Sequence, residues 1–274
     1  MKLTVGSQES RLWTSSLWIF ALLFYVFLYI PLIVLFILSF NDSPAVGLPF
    51  RGFTLKWYGE AFAGGAFLQA IGNSVLVGIA SAVIGTVLAL MITLGMRHRF
   101  PMKGAVLPLV LIPIVTPGIV SGILMLVFIG FTGFPYGLWT AVLPAHITWV
   151  VPFAFLTLYP QVQRFDRSLE EAAMDLGATP WKVFGRVIFP IIRPALVATL
   201  LFSFTISFDE FIRTLFVTSS QRTVPVYLWV LVQEQVSPFL PAIGMMMVAI
   251  SMSVAGIGFL VVGRTYGRPV TAKP

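Results

Sequence analysis

Arg167-Ser168-Leu169-Glu170-Glu171-Ala172-Ala173-Met174-Asp175-Leu176-Gly177-Ala178-Thr179-Pro180-Trp181-Lys182-Val183-Phe184 lies between two apolar runs, 138–158 and 195–217. Ser168 followed by Glu171 has the spacing of a capping box, which predicts a helix start. Glu170 and Glu171 then sit in the first turn, where the positive end of the helix dipole favours acids. Gly177 is placed to end that helix in a left-handed conformation. Pro180, with Thr179 as its cap, predicts a second short helix through about Val187, and Pro190 and Pro194 punctuate the entry to the next apolar run. The whole connection, 159–194, is far too long for a simple helix–helix loop. It reads as a helix–turn–helix elbow. Ala172 and Ala173 give one side no bulk, while Leu169, Met174, Leu176 and Trp181 supply apolar knobs. Such an elbow either docks a partner protein or packs on its own bundle, and the pattern leaves both open.

Outward from the elbow, the chain is apolar almost throughout. Of its 274 residues, 58% are hydrophobic and 10% charged, against roughly half and a quarter in ordinary globular domains. Six apolar segments, at 17–40, 68–95, 105–130, 138–158, 195–217 and 239–262, each approach the roughly 20 residues that cross ~30 Å of hydrocarbon. The first lacks a small-residue cleavage site behind it and reads as a retained span. Strand-type alternation is absent, so the expected fold is an all-α, six-span membrane bundle over 17–262, with terminal segments 1–16 and 263–274. Pro31, Pro108, Pro113, Pro117, Pro144 and Pro152 predict kinks or broken helices within it. Gly72, Gly78, Ala80, Ser81, Ala82 and Gly85 leave the second span room for close helix contact.

The net charge of +7 would suit nucleic acid, but its distribution points to lipid instead. With the N-terminus in the cytoplasm, Lys2, Arg11, Arg97, Arg99, Lys103, Arg164, Arg167, Lys182, Arg186, Arg193, Arg264, Arg268 and Lys273 fall inside. Arg51, Lys56 and Arg222 fall outside, which is the positive-inside pattern with both termini cytoplasmic. In the outer loop, 53–58 suits a short interfacial helix anchored by Trp57 and Tyr58 at headgroup level.

Zero cysteines and two histidines (His98 and His146) leave no material for disulfides or a metal site. No Gly-x-x-x-x-Gly-Lys-Ser/Thr loop occurs, so nothing here cradles nucleotide phosphates; if transport is ATP-driven, another chain hydrolyses the ATP. An intramembrane serine protease would have only Ser121 and His146 at suitable depth, without a Gly-x-Ser-Gly motif. An ion-coupled carrier would be expected to repeat discontinuous helices between its halves, and that pattern is missing. His146 reads as a hydrogen-bonded interior group.

Asp209, Glu210 and Arg213 are the charged group of the fifth span, where ionisable residues cost about 2.5–3.5 kcal/mol at the bilayer centre. On one helix, Asp209–Arg213 and Glu210–Arg213 are i,i+4 and i,i+3 pairs, so they either neutralise one another or line a translocation path. A spare carboxylate suits a cationic substrate; Arg213 raises the alternative of a zwitterionic amino-acid or opine-like one.

Glu171-Ala172-Ala173, then Gly177 after three residues, then Val187-Ile188-Phe189-Pro190, resembles the EAA loop of ABC importer permeases. Tyr29-Ile30-Pro31, Phe53-Thr54-Leu55-Lys56-Trp57-Tyr58 and Ser203-Phe204-Thr205-Ile206-Ser207-Phe208-Asp209-Glu210-Phe211 are similar to the spermidine/putrescine branch. The resemblance implies a type I ABC importer permease bundle in a bacterial inner membrane, with the elbow as coupling helix. Glu170, Glu171, Ala172, Ala173, Leu176, Gly177, Trp181 and Pro190 would then face the ATP-hydrolysing subunit. It further implies two ATP-binding subunits carrying the ATP and magnesium, a second permease (a homologue, giving a heterodimer) and an external substrate-binding protein, with no cofactor on this chain.

Overall fold

A computed structural model describes residues 7–234 and 237–266; Lys2, Arg268 and Lys273 of the positive-inside count lie outside the described residues. The chain is built of helices, and one isolated bridge, Asn41 to Phe53, is the extent of β pairing among the described residues. Five helices are long and apolar enough to cross a membrane, and a broken pair makes a sixth candidate. This is an all-α, multi-pass membrane protein.

Residues up to Ala63, with Leu231–Met246, form one compact unit. In it α1 (Ser7–Ser39) runs through Pro31 and leaves its apolar side chains exposed. Its C-terminal end is tied to α2 (Lys56–Ala63). Trp57 is buried and donates its indole N–H to the Asn41 carbonyl at 2.8 Å, and the Tyr58 hydroxyl donates to Ser39 Oγ at 2.9 Å. The expected interfacial helix at 53–58 is thus corrected: the helix starts at Lys56, where Thr54 Oγ1 accepts the N–H of Lys56, and Trp57 is a fastening inside the unit. A buried indole N–H needs an acceptor, and the Asn41 carbonyl, two residues beyond α1, supplies one.

Gly64–Val230, with the chain from Met247, forms the second unit. Here α3 (Ala66–Gly95), α4 (Lys103–Val115) and α5 (Gly118–Thr132) precede a π turn, Leu138–Val142, that leads into α6 (Leu143–Gln163). The short α7 (Ser168–Asp175) and α8 (Pro180–Val183) follow. A second π turn, Phe184–Ile188, joins α8 to α9 (Phe189–Phe208). Then come α10 (Ile212–Val217), α11 (Val224–Glu234), not anticipated from sequence, and α12 (Leu240–Tyr266). Helices α11 and α12 each run through both units.

The core of the second unit is α3 against α6 and α9. Glycines make it close: a Cβ on Gly78 would sit 2.9 Å from the Phe204 ring, and one on Gly85 2.6 Å from Val150 Cγ1. Gly72, by contrast, meets nothing within 4 Å.

Two expected spans differ in detail. Helices α4 and α5 occupy the third expected segment and are bent by 100° at the break between them. Pro117 drives Thr116 into an extended conformation (φ −73°, ψ 126°) and ends α4 there. The fifth does not run 195–217. It is a continuous rod of 29 residues from Pro180 to Phe208, stopping at Asp209 (φ −89°, ψ 1°). Pro190 directly follows the π turn in which the Phe189 N–H reaches back to the Phe184 carbonyl, and the helix continues through it and through Pro194.

Candidate functional site

The elbow between α6 and α9 is set by local hydrogen bonding. Asp166, not Ser168, starts α7: its carboxylate accepts the Ser168 N–H at 2.9 Å, and the expected Ser168–Glu171 capping box is not formed. That N–H, and secondarily the Ser168 hydroxyl, hold the exposed Asp166 carboxyl below its ordinary pKa. The end of α7 is a Schellman turn. Ala178 N–H donates to Ala173 O at 3.0 Å and Gly177 N–H to Met174 O at 2.8 Å, with Gly177 at φ +81°. Thr179 is extended and Pro180 opens α8, as the sequence predicts.

These turns sort the elbow residues by face. Glu171, Ala172, Gly177 and Pro190 are exposed, and Leu176 and Trp181 project furthest, at 89% and 84% exposure. Ala173 is half-buried and packs with Ala178 against a core cluster that includes Val183, Ile188 and Ile192. Glu170 turns inward to the buried Arg97. Two of the eight elbow residues singled out in the sequence, Glu170 and Ala173, therefore face the protein's own core.

The second candidate site is the break between α9 and α10. Glu210 Oε1 accepts the Arg213 N–H at 2.9 Å, and Oε2 accepts from the Arg213 guanidinium at 3.0 Å. Both side chains are almost wholly buried, and the guanidinium lies 3.7 Å over the Trp149 ring. Asp209 does not join this pair. The expected i,i+4 contact requires a continuous helix, and the helix ends before it; Asp209 stays exposed and accepts from Ser251 Oγ at 3.0 Å. Asp209, Glu210, Phe211, Arg213, Trp149 and Thr116 share the lining of a cavity of about 420 Å³. Arg213 also borders an apolar cavity of about 490 Å³ walled by Ile112, Leu124, Met125 and Phe128. Glu210 thus neutralises Arg213, and Asp209 is the acid left available.

His146 is buried between Ser207 and Thr214 hydroxyls, as an interior hydrogen-bonded group. Ser121 donates to the Pro117 carbonyl instead, so the two do not form a nucleophile–base pair. Among the described residues no cluster of His, Cys, Asp and Glu could hold a metal ion. Sequence reasoning missed Trp149, Ser81 and Arg97, whose partners in these contacts lie 64 to 126 positions away.

Residues 82–265 match the family described as binding-protein-dependent transport system inner membrane component. The chain is 34% identical over 230 residues to the spermidine/putrescine transport system permease protein PotC of Escherichia coli K12, covering 83% of this chain and 86% of that protein. It is 33% identical over 250 residues to the putrescine transport system permease protein PotI of the same strain, covering 87% and 86%. In fold it is similar to a chain of a bacterial ABC transporter involved in the import of alginate, with TM-score 0.76, 16% identity and coverage of 94% and 97%. A chain of the inward-facing MetNI methionine ABC transporter gives TM-score 0.63 at 15% identity, covering 74% and 97%.

Proposed function

The chain belongs to the family of binding-protein-dependent transport inner membrane components, a permease subunit and not an enzyme, and on that premise we propose that it serves an ATP-driven importer of polyamines. In this reading it pairs with a homologous permease, two ATP-binding subunits that hold ATP and magnesium, and an external substrate-binding protein. Its termini and the elbow face the cytoplasm, on the strength of the Lys and Arg distribution.

The observation that carries the reading is the elbow's outward face. Leu176 and Trp181 are almost fully exposed large apolar side chains beside the bulkless Ala172 and the charged Glu171. A face of that kind suits insertion into a cleft of the ATP-binding partner, with Glu171 meeting a basic group. From Pro180 the same rod runs 29 residues, about 43 Å at 1.5 Å per residue, to the break that carries Asp209. Trp181 of the elbow and the break thus lie at the two ends of one helical run, which passes through the π turn at Phe184–Ile188. Asp209 beside Phe211 offers a carboxylate and an aromatic ring to a substrate ammonium, in line with the polyamines named for PotC and PotI.

ATP-dependent uptake in vesicles holding the assembled importer tests this. Labelled spermidine or putrescine should accumulate, and Glu171→Arg should abolish the accumulation. Uptake restricted to zwitterionic amino-acid derivatives would keep the permease and overturn the polyamine substrate. Uptake indifferent to ATP and to Glu171→Arg would overturn the whole reading.

A further inference from the structure

Arg97 follows α3 by two residues and was counted in the sequence only as one of many inward basic residues. Its side chain is not at the surface. One terminal guanidinium nitrogen donates to the Val162 carbonyl and, at 3.3 Å, to the Phe165 carbonyl. The other donates to Phe165 O at 3.4 Å and to the Glu170 carboxylate. The guanidinium carbon stands 5.2 Å above the Phe165 ring. Side-chain exposure is 5% for Arg97 and 17% for Glu170.

Those partners belong to different elements. Val162 lies in the last turn of α6 and Phe165 just beyond it, where carbonyls have no intrahelical donor and the dipole end is negative. Glu170 lies in the first turn of α7. A planar fork of donors can hold both sets at once, which a lysine ammonium cannot match in geometry. An arginine buried this deeply is tolerated only while its partners stay in place, since withdrawing one leaves an uncompensated charge. The contact is thus a clasp joining the ends of α3 and α6 to the start of α7.

We infer that Arg97 is a positioning residue that, through Glu170, fixes the elbow to α3 and α6, so that a push on the elbow moves these two helices as well as α9. The inference rests on the elbow docking to the ATP-binding subunit. Glu170 acts from within the protein, and the docking face is left to Glu171, Ala172, Leu176 and Trp181.

The test uses the assembled importer in vesicles, with substrate uptake and ATP hydrolysis measured on the same preparation. Glu170→Gln removes the counter-charge but leaves Arg97 its carbonyl partners; Arg97→Lys keeps the charge and removes the fork. Both should lower substrate moved per ATP hydrolysed by about ten-fold, within the usual range of coupling between sites. A defect of folding or assembly alone would lower uptake and hydrolysis together and leave that ratio unchanged, which would overturn the inference. A Leu176→Cys cross-link to the ATP-binding subunit separates the two readings. If it forms and the ratio is unchanged in Glu170→Gln, the clasp is wrong and docking stands. If it does not form in an otherwise unaltered importer, docking fails and the clasp's role in coupling fails with it.

Discussion

His146 Nε2 lies 2.7 Å from Thr214 Oγ1, joining α6 to the short helix beyond the α9 break, while Nδ1 lies 2.7 Å from Ser207 Oγ on the near side of that break. Thr214 donates its only hydroxyl hydrogen to the Glu210 carbonyl at 3.1 Å. Each ring nitrogen therefore has a hydroxyl within hydrogen-bond distance, and which of the two carries the proton follows the tautomer. Ser207 continues to Ser81 Oγ of α3 at 2.6 Å. One imidazole thus holds the two sides of a helix break in register, with every polar atom of the ring paired in a dry interior.

Ser207→Ala leaves His146 Nδ1 buried without a partner, which costs about 1–3 kcal/mol. Thermal unfolding of the purified chain in detergent should show a lower midpoint, with His146→Ala lower still. An unchanged midpoint for Ser207→Ala would mean the imidazole finds another partner.

Gly85→Ala places a Cβ 2.6 Å from Val150 Cγ1 in the α3–α6 seam. Overpacking of this kind costs about 1–3 kcal/mol. The double variant Gly85→Ala, Val150→Ala should recover part of the loss, because the two changes share one contact. Strict additivity in the same melting experiment would show that the seam is looser than described.

The acids of the break should behave oppositely. Glu210→Gln strands the Arg213 guanidinium in a buried site and should destabilise by about 3–5 kcal/mol, lowering the yield of folded protein. Asp209→Asn, at an exposed position, should stay within about 0.5 kcal/mol of the parent. It should nonetheless lose most polyamine uptake. Retained uptake in Asp209→Asn would remove this carboxylate from the transport path.

The start of α7 should depend on acid pH. The Ser168 N–H lowers the folded-state pKa of Asp166 below its ordinary value. A depressed carboxyl pKa contributes stability above the ordinary value, and that contribution is lost as pH falls through the lowered one. Hydrogen exchange at the N–H of Ser168, corrected for intrinsic pH dependence, should lose protection in that window, and Asp166→Ala should lose it at every pH. Protection that ignores both changes would place the start of α7 elsewhere.

Much of this was legible in the residues because it is local. Gly177 at the end of α7 and Pro180 at the start of α8 act on neighbours within a turn, and apolar runs long enough to span a membrane announce themselves by length. Where the reading went wrong, a competing partner or a helix end had intervened. Ser168–Glu171 looked like a cap, but Asp166 was closer in space. Trp57 looked like a headgroup anchor, but the Asn41 carbonyl was within reach of its N–H. Asp209 and Arg213 were spaced to pair only on a helix that does not exist there.

The sequence by itself therefore determined that the chain spans a membrane, that an elbow interrupts the spans, and where its turns fall, since periodicity, caps and charge sorting are properties of neighbouring residues. Tertiary structure alone decided which elbow residues face outward, that Glu210 rather than Asp209 takes Arg213, and that Arg97 reaches Val162, Phe165 and Glu170. The reason is physical. In an interior without water each buried polar group must find its partner within the protein. Those partners, 65 to 73 positions away for Arg97, meet only when the helices have packed.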